Sequence, residues 1–433
     1  MLLDIWMLVA EKGVRPLYNC DEEVPLQMNI GLSFKELVKY EKILEINQKY
    51  RMVRTFWPVG HGAFYTERFP LEDGTFFTIA YDCGTSGSQK LLNTQIDRCL
   101  EGSKYIDILF ISHFHRDHIS GVEYILKHGA IRRVYLPLIT PRCKAAILLL
   151  LKANGIKGFL YDIVDNPVEA IRRVANNVNL EIVFVEDNGK EDEERHPIED
   201  DSREKDYQIV TSFSGVSTIK SGTHVNDFLK ETKCASIWEY IPYELTNHEI
   251  VEKLVDEFRK LDNDVKNIFD VCERYKDLAN EKLKEVKRTY KKIIGSNYFN
   301  TNTMTLYSGH VTDTKRQMYF DQIENNLKPI LLPIGCLYLG DYVSSQNDEA
   351  LIREVDGYKW DRIGVIQVPH HGSNDGYNSL LIKDNCLYVV SEKIDSQKKN
   401  AKKEWRKRLE KEDIKLIYVS EKPESKFFTL CDL

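Results

Sequence analysis

Three histidines and one aspartate follow a short apolar run and could bind metal together. His113, His115, Asp117 and His118 fall within six residues, directly after the apolar run Ile106–Ile111, which predicts a buried strand. Side chains at positions i and i+2 of an extended segment point the same way, so His113 and His115 can converge on one ion. Asp117 and His118 can then turn toward a second ion. The alternative is a solvated histidine-rich loop, but that interpretation does not explain why three of the chain's 11 histidines gather directly after a buried strand.

The order of several motifs resembles one known family. Residues 112–118, Ser-His-Phe-His-Arg-Asp-His, resemble the HxHxDH signature of the metallo-β-lactamase fold superfamily. Residues 53–84 resemble the opening hairpin of that family, which ends in an aspartate, here Asp82. Leu337–Asp341 resembles the strand that delivers a bridging carboxylate, and Val368–Ser373 resembles an ending found in the branch related to the ComEC/Rec2 DNA-uptake proteins.

The resemblance implies a binuclear site with a defined ligand set. It implies one or two divalent cations, with Zn²⁺ expected first and Mn²⁺ as the alternative. The implied ligands are His113 and His115 for the first ion, Asp117, His118 and His370 for the second, and Asp341 as the bridge. Asp82 would accept an imidazole N–H and so fix the orientation of a ligand, and Asp117 could orient the attacking water. His371 could pass a proton to the leaving group, but a role in holding the backbone or a neighbouring side chain is equally open.

One departure from the family pattern affects the first ion. Many members place a further histidine between the HxHxDH loop and the bridging aspartate, where this chain has Asn302–Leu306. His224 and His248 do not stand in a matching context, and His310 is left open as a substitute. We therefore expect the first ion to bind more weakly, or with help from a substrate oxygen, and the second position to fill first.

The chain around these motifs alternates short strands with helices, which is an α/β pattern. Together with the resemblance, it predicts a four-layer αββα metallo-β-lactamase sandwich with an N-terminal addition and a helical insertion. The predicted elements are a hairpin over 52–82 with a turn at Glu72–Gly74, helices at Gln89–Leu100, Pro141–Ala153 and Pro167–Asn176, and strands at Val134–Leu136, Phe159–Val164 and Leu180–Val185.

The predicted domain organisation places additions around a split hydrolase domain. Residues 1–50, with a helix at Phe34–Ile46, form the N-terminal addition, and residues 51–185 and 296–433 form the hydrolase domain. Residues 186–295 begin with an acidic loop and continue as a helical stripe over His248–Ile294, which Asp262 and Asn263 could break. The stripe predicts either a lid or packing arm, or a coiled arm that binds a protein partner.

Composition bounds the cellular environment and the partners. The formal net charge of −7 gives no overall attraction to nucleic acid or to an anionic membrane. Nine scattered cysteines without a Cys-x-x-Cys pair indicate reduced thiols, so we expect a cytoplasmic protein. The apolar start is too short to span a bilayer, so we do not expect the protein to enter the membrane. Residues 396–411 carry eight Lys or Arg against two Glu and predict a surface helix whose basic face could dock phosphates over 398–411.

Three classes of function fit these features. The His-His-Gly-Ser ending, the missing histidine and the basic helix together favour a metal-dependent nuclease or phosphodiesterase that acts on DNA or RNA. A hydrolase of a small molecule, such as a cyclic nucleotide or a thioester, is the first alternative. The second is an effector hydrolase, including a peptidase, that a partner protein gates within a multi-protein system.

Overall fold

The computed structural model describes residues 51–433 apart from short stretches, and all statements below refer to the described residues. The stretches left out are 102–104, 129, 178, 188–201, 210, 233, 235, 247, 278–279, 295–301, 312–316, 322–325, 331, 343–356, 374–380, 401–402, 413 and 433. The predicted N-terminal addition 1–50, with its helix at Phe34–Ile46, lies outside the described residues, and so does most of the predicted acidic loop.

Ten described strands form one mixed sheet. The first three strands, β1 (Arg51–Phe56), β2 (Phe64–Pro70) and β3 (Phe76–Cys83), form an antiparallel meander, which confirms the predicted hairpin. In the turn between β2 and β3, Gly74 has φ +83° and the Asp73 carboxylate accepts the Thr75 N–H at 2.9 Å. From β3 to β7 every neighbouring pair is parallel. In spatial order, the strands are β11 (Asn326–Ile330), β10 (Gln317–Asp321), β16 (Phe427–Asp432), β1 (Arg51–Phe56), β2 (Phe64–Pro70), β3 (Phe76–Cys83), β4 (Tyr105–Phe110), β5 (Ala130–Pro137), β6 (Glu181–Glu186) and β7 (Val216–Lys220).

Six further strands form a second sheet. Its strands β12 to β15 are parallel, whereas β9 runs antiparallel to both β8 and β12. The spatial order is β15 (Leu416–Val419), β14 (Leu387–Ser391), β13 (Ile363–Gln367), β12 (Gly335–Tyr338), β9 (Asn302–His310) and β8 (Trp238–Thr246).

The two sheets stack face to face and are covered by helices. Phe56, Phe110 and Tyr338 belong to the apolar core between the sheets. A second core joins the outer face of the first sheet to helices, and a third covers the second sheet with Trp405 and Leu409. This arrangement confirms the predicted αββα fold class.

A buried ion pair links the two sheets. Arg54 on β1 donates its Nε–H to Glu67 on β2 at 2.7 Å, and both residues are almost completely buried. The Glu67 carboxylate also accepts hydroxyls from the other sheet, from Tyr240 at 2.5 Å, Ser308 at 2.6 Å and Tyr338 at 2.9 Å. These bonds satisfy the buried charge and hold the sheets at one relative position.

The described helices follow the strands that they cover. Two predicted helices have the predicted bounds, Gln89–Leu100 with Ser88 as N-cap and Pro141–Ala153 with Thr140 as N-cap. The helices in chain order are α1 (Gln89–Leu100), α2 (Arg116–Ile119), α3 (Val122–His128), α4 (Pro141–Ala153), α5 (Phe159–Asp165), α6 (Pro167–Val174), α7 (His248–Arg259), α8 (Ile268–Arg274), α9 (Asn280–Ile294), α10 (Gly357–Asp361), α11 (Ile394–Asn400) and α12 (Glu404–Lys411).

One predicted strand is wrong. Residues Phe159–Val164 were expected to extend, but they form helix α5 after Gly158. The buried residues Phe159, Ile163 and Val164 stand at helical spacing, so one face of a helix covers all of them. A strand would have sent Ile163 and Val164 to opposite faces, which explains why this short apolar run folds as a helix.

The segment 186–295 contributes to both sheets as well as supplying helices. It provides the edge strands β7 and β8 and then the helices α7, α8 and α9, which divide the predicted helical stripe. These helices pack against α4, where the Tyr290 hydroxyl donates to the Ala146 carbonyl at 2.6 Å. The described part of the stripe is thus a packing arm on the outer face of the first sheet. A role of its outward side in binding a partner stays a prediction.

Two observations concern the environment of the chain. No described helix combines the length and the apolar character needed to cross a bilayer. Every cysteine in the described part of the chain is a free thiol.

Candidate metal centre

The candidate site lies where strands of both sheets end. Asp82 stands at the end of β3, and the loop carrying His113 to His118 follows β4. From the second sheet, Asp341 follows β12 and the turn Pro369–Gly372 follows β13. Because these strands are parallel within each sheet, their carboxyl ends meet at one edge, where the two sheets face each other.

The loop after β4 divides its polar side chains between two directions. His113 stands in the extended part, and His115 is the N-cap residue of the short helix α2, which contains Asp117 and His118. Backbone hydrogen bonds from the N–H groups of His118 and Ile119 to the His115 carbonyl close this turn at 3.0 and 3.1 Å. The turn places Asp117 and His118 in a different donor group from His113 and His115, although the ring centroids of His113 and His118 are only 4.1 Å apart.

Asp82 orients two of the predicted ligands. Its carboxylate accepts the backbone N–H and the hydroxyl of Ser112, both at 2.7 Å, and pairs with His118 Nδ1 at 2.7 Å. The Ser112 hydroxyl lies 2.9 Å from His113 Nδ1. Both imidazoles are therefore held through Nδ1, which leaves each Nε2 directed at the cleft.

Two groups of donor atoms share the Asp341 carboxylate. One group contains Asp117, His118, Asp341 and His371, and the other contains His113, His115 and Asp341, with the donor atoms of each group within 4.8 Å of one another. Asp341 Oδ1 lies 3.0 Å from His118 Nε2 and 3.7 Å from His371 Nε2. Its Oδ2 lies 3.7 Å from His113 Nε2. One carboxylate oxygen therefore faces each group, which is the placement of a bridging ligand.

The chemistry of these atoms fits divalent cations. Asp117 Oδ1, His118 Nε2 and His371 Nε2 are buried and make no hydrogen bond to any described residue. Carboxylate oxygens nevertheless lie 3.0 Å from His118 Nε2 and 3.3 Å from His371 Nε2. Buried imidazole nitrogens and carboxylate oxygens that converge at these distances offer the donor atoms that a cation needs, and imidazole with carboxylate suits Zn²⁺ or Mn²⁺.

The turn Pro369–Gly372 corrects one ligand assignment. His370 and His371 both have φ +49°, and Gly372 has φ +72°, so three consecutive residues are left-handed. This path directs His371 into the group with Asp117, and its Nδ1–H donates to the Ser391 carbonyl at 2.9 Å. His370 stands outside both groups, with its backbone N–H bonded to the Gly340 carbonyl at 3.0 Å. In this geometry His371, and not the predicted His370, belongs to a donor group, so His371 is the candidate ligand.

The electrostatics of the cluster keep its carboxylates ionised. Burial raises the pKa of Asp341, but the charges of His118 and His370 outweigh burial and hold that pKa well below its usual value. Burial lowers the pKa of His118, whereas contacts with Asp341 and Asp82 raise it well above the usual value. The pKa of His371 is also raised, because Asp117 and Asp341 overcome its burial. Burial, with His118 and His115 nearby, lowers the pKa of His113.

Sequence reasoning missed His61, which lies in the loop between β1 and β2. Its ring centroid is 4.0 Å from that of His371, and its Nε2 is 3.8 Å from Asp117 Oδ2. The next residue, Gly62, is essential to this approach, since a Cβ there would stand 2.2 Å from the Gly84 carbonyl oxygen. A histidine between two glycines was the available signal, and it was considered only within the segment 53–84 that resembles the opening hairpin.

The histidine candidates for completing the first group lie elsewhere. Strand β9 passes the metal loop at Met304, whose N–H donates to the Ser112 carbonyl at 2.8 Å. His310 stands six residues further along that strand, at about 20 Å for an extended chain. His224 pairs instead with Glu239 at 2.6 Å. Among the described His, Cys, Asp and Glu residues, the first group therefore has three members and the second has four.

Comparisons with known proteins agree with the fold. Residues 78–217, about a third of the chain, match the family model described as Metallo-beta-lactamase superfamily. The chain is also 38% identical over 85 residues to a protein named Ribonuclease J from Mycoplasma genitalium, a match that covers 18% of this chain and 14% of that protein. The chain thus aligns with only a small part of that relative. Neither comparison supports the ComEC/Rec2-related branch, which stays a prediction.

Proposed function

We propose that this chain, which carries a metallo-beta-lactamase superfamily domain over residues 78–217, is a metal-dependent hydrolase that cleaves phosphodiester bonds in RNA or DNA. The observation that carries the proposal is the carboxylate of Asp341, shared by two groups of imidazole and carboxylate donors. Two neighbouring cations suit the in-line displacement of a phosphodiester, because both the attacking and the leaving oxygens need charge stabilisation. The similarity to a protein named Ribonuclease J supports nucleic acid as the substrate.

The proposed cations would act as Lewis acids. When bound, Zn²⁺ or Mn²⁺ would lower the pKa of a water toward neutrality and neutralise charge on the phosphoryl oxygens. Asp117, His118, Asp341 and His371 would hold one ion, and His113, His115 and Asp341 the other.

The chain's own residues fix the orientation of the donors and the solvent content of the site. Asp82 holds His118 by Nδ1, and the Ser391 carbonyl holds His371 by Nδ1, so each ring presents Nε2 without rotating. Asp117 keeps Oδ1 without a hydrogen-bond partner among the described residues, and it can accept a proton of an attacking water. His113, His118 and Asp341 are at most 2% exposed, so the reacting atoms would meet little bulk water.

The basic segment near the C-terminus borders this site. Lys403 donates from Nζ to the Gly372 carbonyl at 2.5 Å, next to His371. Arg406 is completely buried and pairs with Glu392 at 2.8 Å, so it is unavailable for phosphate. Lys407 remains exposed, as do Arg408 and Lys411. We therefore propose that nucleic acid docks along the outer side of α12, while side chains 398–402 of the predicted basic helix lie outside the described residues.

A cleavage assay tests the proposed function. The purified chain would be incubated with end-labelled single-stranded and duplex RNA and DNA of one sequence, with Zn²⁺ or Mn²⁺ and with a chelator. We expect metal-dependent cutting that Asp117→Asn lowers about 10²- to 10⁴-fold, the usual contribution of a general base. His128→Asn, at an exposed histidine in α3, is the matched control. Turnover of a chromogenic phosphodiester without cleavage of any polymer would favour a small substrate such as a cyclic nucleotide.

A further inference from the structure

Beside the metal centre, His61 offers an imidazole that a substrate can reach. Its side chain is 29% exposed, compared with 3% for His113, 1% for His118 and 4% for His371. Its backbone is fixed, because the His61 carbonyl accepts the Ser86 N–H at 2.9 Å. The ring therefore stands at a defined place on the rim of the cleft, against His371.

Lys393 reaches the same rim from the second sheet. It follows Ser391 and Glu392 at the end of β14 and is half-buried. Its Nζ lies 4.0 Å from the position that a Cβ on Gly87 would occupy. Gly87 belongs to the turn 84–88, which also provides the Ser86 N–H that bonds to His61. The ammonium group thus lies beside the turn that supports the imidazole.

Glu421 lies close to the neighbours of both His61 and Lys393. Glu421 packs its Cβ 3.4 Å from the position of a Cβ on Gly60, and its carboxylate accepts the Ile394 N–H at 3.3 Å. His61 directly follows Gly60 in the chain, and Lys393 directly precedes Ile394. The negative groups that face the pair are Glu421, whose Oε2 is engaged by that backbone N–H, and Asp117, whose Oδ2 lies 3.8 Å from the His61 ring.

We propose that His61 and Lys393 form a phosphate-binding edge that holds a phosphate of the substrate next to the bond to be cut. This inference rests on the proposed function. An imidazole N–H and an ammonium are donors that suit the non-bridging oxygens of a phosphate, and their charge-assisted hydrogen bonds orient a polyanion. Because the His61 ring lies against His371 and its Nε2 is 3.8 Å from Asp117 Oδ2, a phosphate held at this edge would stand next to Asp117.

Phosphate binding tests the edge separately from catalysis. Inorganic phosphate would be titrated by calorimetry into the chelator-treated full-length chain, and its inhibition of cleavage would be measured on the metal-loaded chain. His61→Phe keeps a ring against His371 but has no donor, His61→Asn keeps a donor, and Lys393→Met keeps the aliphatic stem. His128→Phe and Lys253→Met, at exposed positions of α3 and α7, are the matched controls.

The expected result is a selective loss of phosphate affinity. His61→Phe and Lys393→Met should each raise the Kd and the inhibition constant for phosphate about five- to tenfold, with a similar rise in KM and a small change in kcat. His61→Asn should recover part of the loss, and the controls should bind as the natural chain does. Unchanged phosphate binding in both variants would overturn the edge even if the natural chain cleaves nucleic acid. If the natural chain cleaves nothing, a loss of phosphate affinity in the variants still supports the edge while the proposed function fails.

Discussion

At the residue scale, the backbone decides which of two adjacent histidines joins the metal cluster. His370 and His371 have the same left-handed conformation, so their side chains leave the turn in different directions. Left-handed residues other than glycine cost of order 1–3 kcal/mol. Here the His370 backbone N–H donates to the Gly340 carbonyl and the His371 Nδ1–H donates to the Ser391 carbonyl, and these bonds stabilise the turn. The strained turn therefore stands at the position from which His371 reaches its donor group.

A matched pair of substitutions tests this assignment. His371→Ala should remove one metal ion and nearly all hydrolysis, because it deletes a donor from the group of four. His370→Ala should keep both ions, since that ring belongs to neither group. Metal content by mass spectrometry, measured beside the cleavage rate, distinguishes the two. Equal loss of metal from both variants would contradict the assignment.

Asp82 is the second residue whose role can be isolated. Asp82→Asn keeps the shape of the side chain but weakens its hold on His118, so we expect metal affinity to fall about 10- to 100-fold. A chelator competition measures that affinity directly. If Asp82→Asn binds metal as tightly as the natural chain and is equally stable, Asp82 does not have an orienting role.

Much of the candidate site could be predicted from particular residues. The spacing of His113, His115, Asp117 and His118 indicated two directions of binding, and the short helix α2 produces them. The choice between His370 and His371 depends on positive φ angles, which no local residue pattern reveals for histidine. His61 depends on a loop packing across the ends of two strands, a long-range contact outside any motif.

At the element scale, the Arg54–Glu67 pair joins β1 and β2 to the second sheet. Glu67→Ala leaves the Arg54 guanidinium buried without its carboxylate and leaves three hydroxyls without their acceptor. We expect a loss of about 3–5 kcal/mol in the free energy of unfolding, measured by urea denaturation. Glu123→Ala removes an exposed pair with Lys127 and should cost at most about 1 kcal/mol. Similar losses in both variants would show that the buried pair does not hold the sheets.

Elements with strong local signals were predicted well. Pro141–Ala153 has a Thr140 cap and proline at its first position, and Gln89–Leu100 has a Ser88 cap, so their starting residues could be read from the sequence. Phe159–Val164 was mistaken for a strand because a short apolar run fits either state until its packing partners are known. The edge strands β7 and β8 belong to two different sheets, and that membership depends on pairing across long sequence distances.

At the scale of the whole molecule, protons compete with metal for one group of donors. The raised pKa values of His118 and His371 mean that these rings retain protons near neutral pH in the metal-free chain. A cation binds only the neutral form of these imidazoles, so metal binding releases protons. The metal affinity should therefore rise between pH 6 and pH 8, by about tenfold per pH unit for each proton released. Chelator competition at several pH values measures this slope. A flat profile would contradict competition at these rings.

The two groups of donors should also fill unequally. The group with His371 has four donor residues, whereas the group with His113 has three among the described residues. We therefore expect the ion held by Asp117, His118, Asp341 and His371 to resist chelators longer. Stepwise dialysis followed by metal analysis separates the two, and simultaneous loss of both ions would argue for equivalent positions.

The metal content of the gently purified chain beside that of Asp341→Asn tests the central claim most directly. The natural chain should retain at least one divalent ion and approach two when Zn²⁺ or Mn²⁺ is supplied, because one carboxylate oxygen of Asp341 faces each group. Asp341→Asn should lower the occupancy of both positions while the chain stays folded. A natural chain that binds no ion even with metal in excess, or an Asp341→Asn variant that holds two ions equally well, would contradict a metal centre built around Asp341.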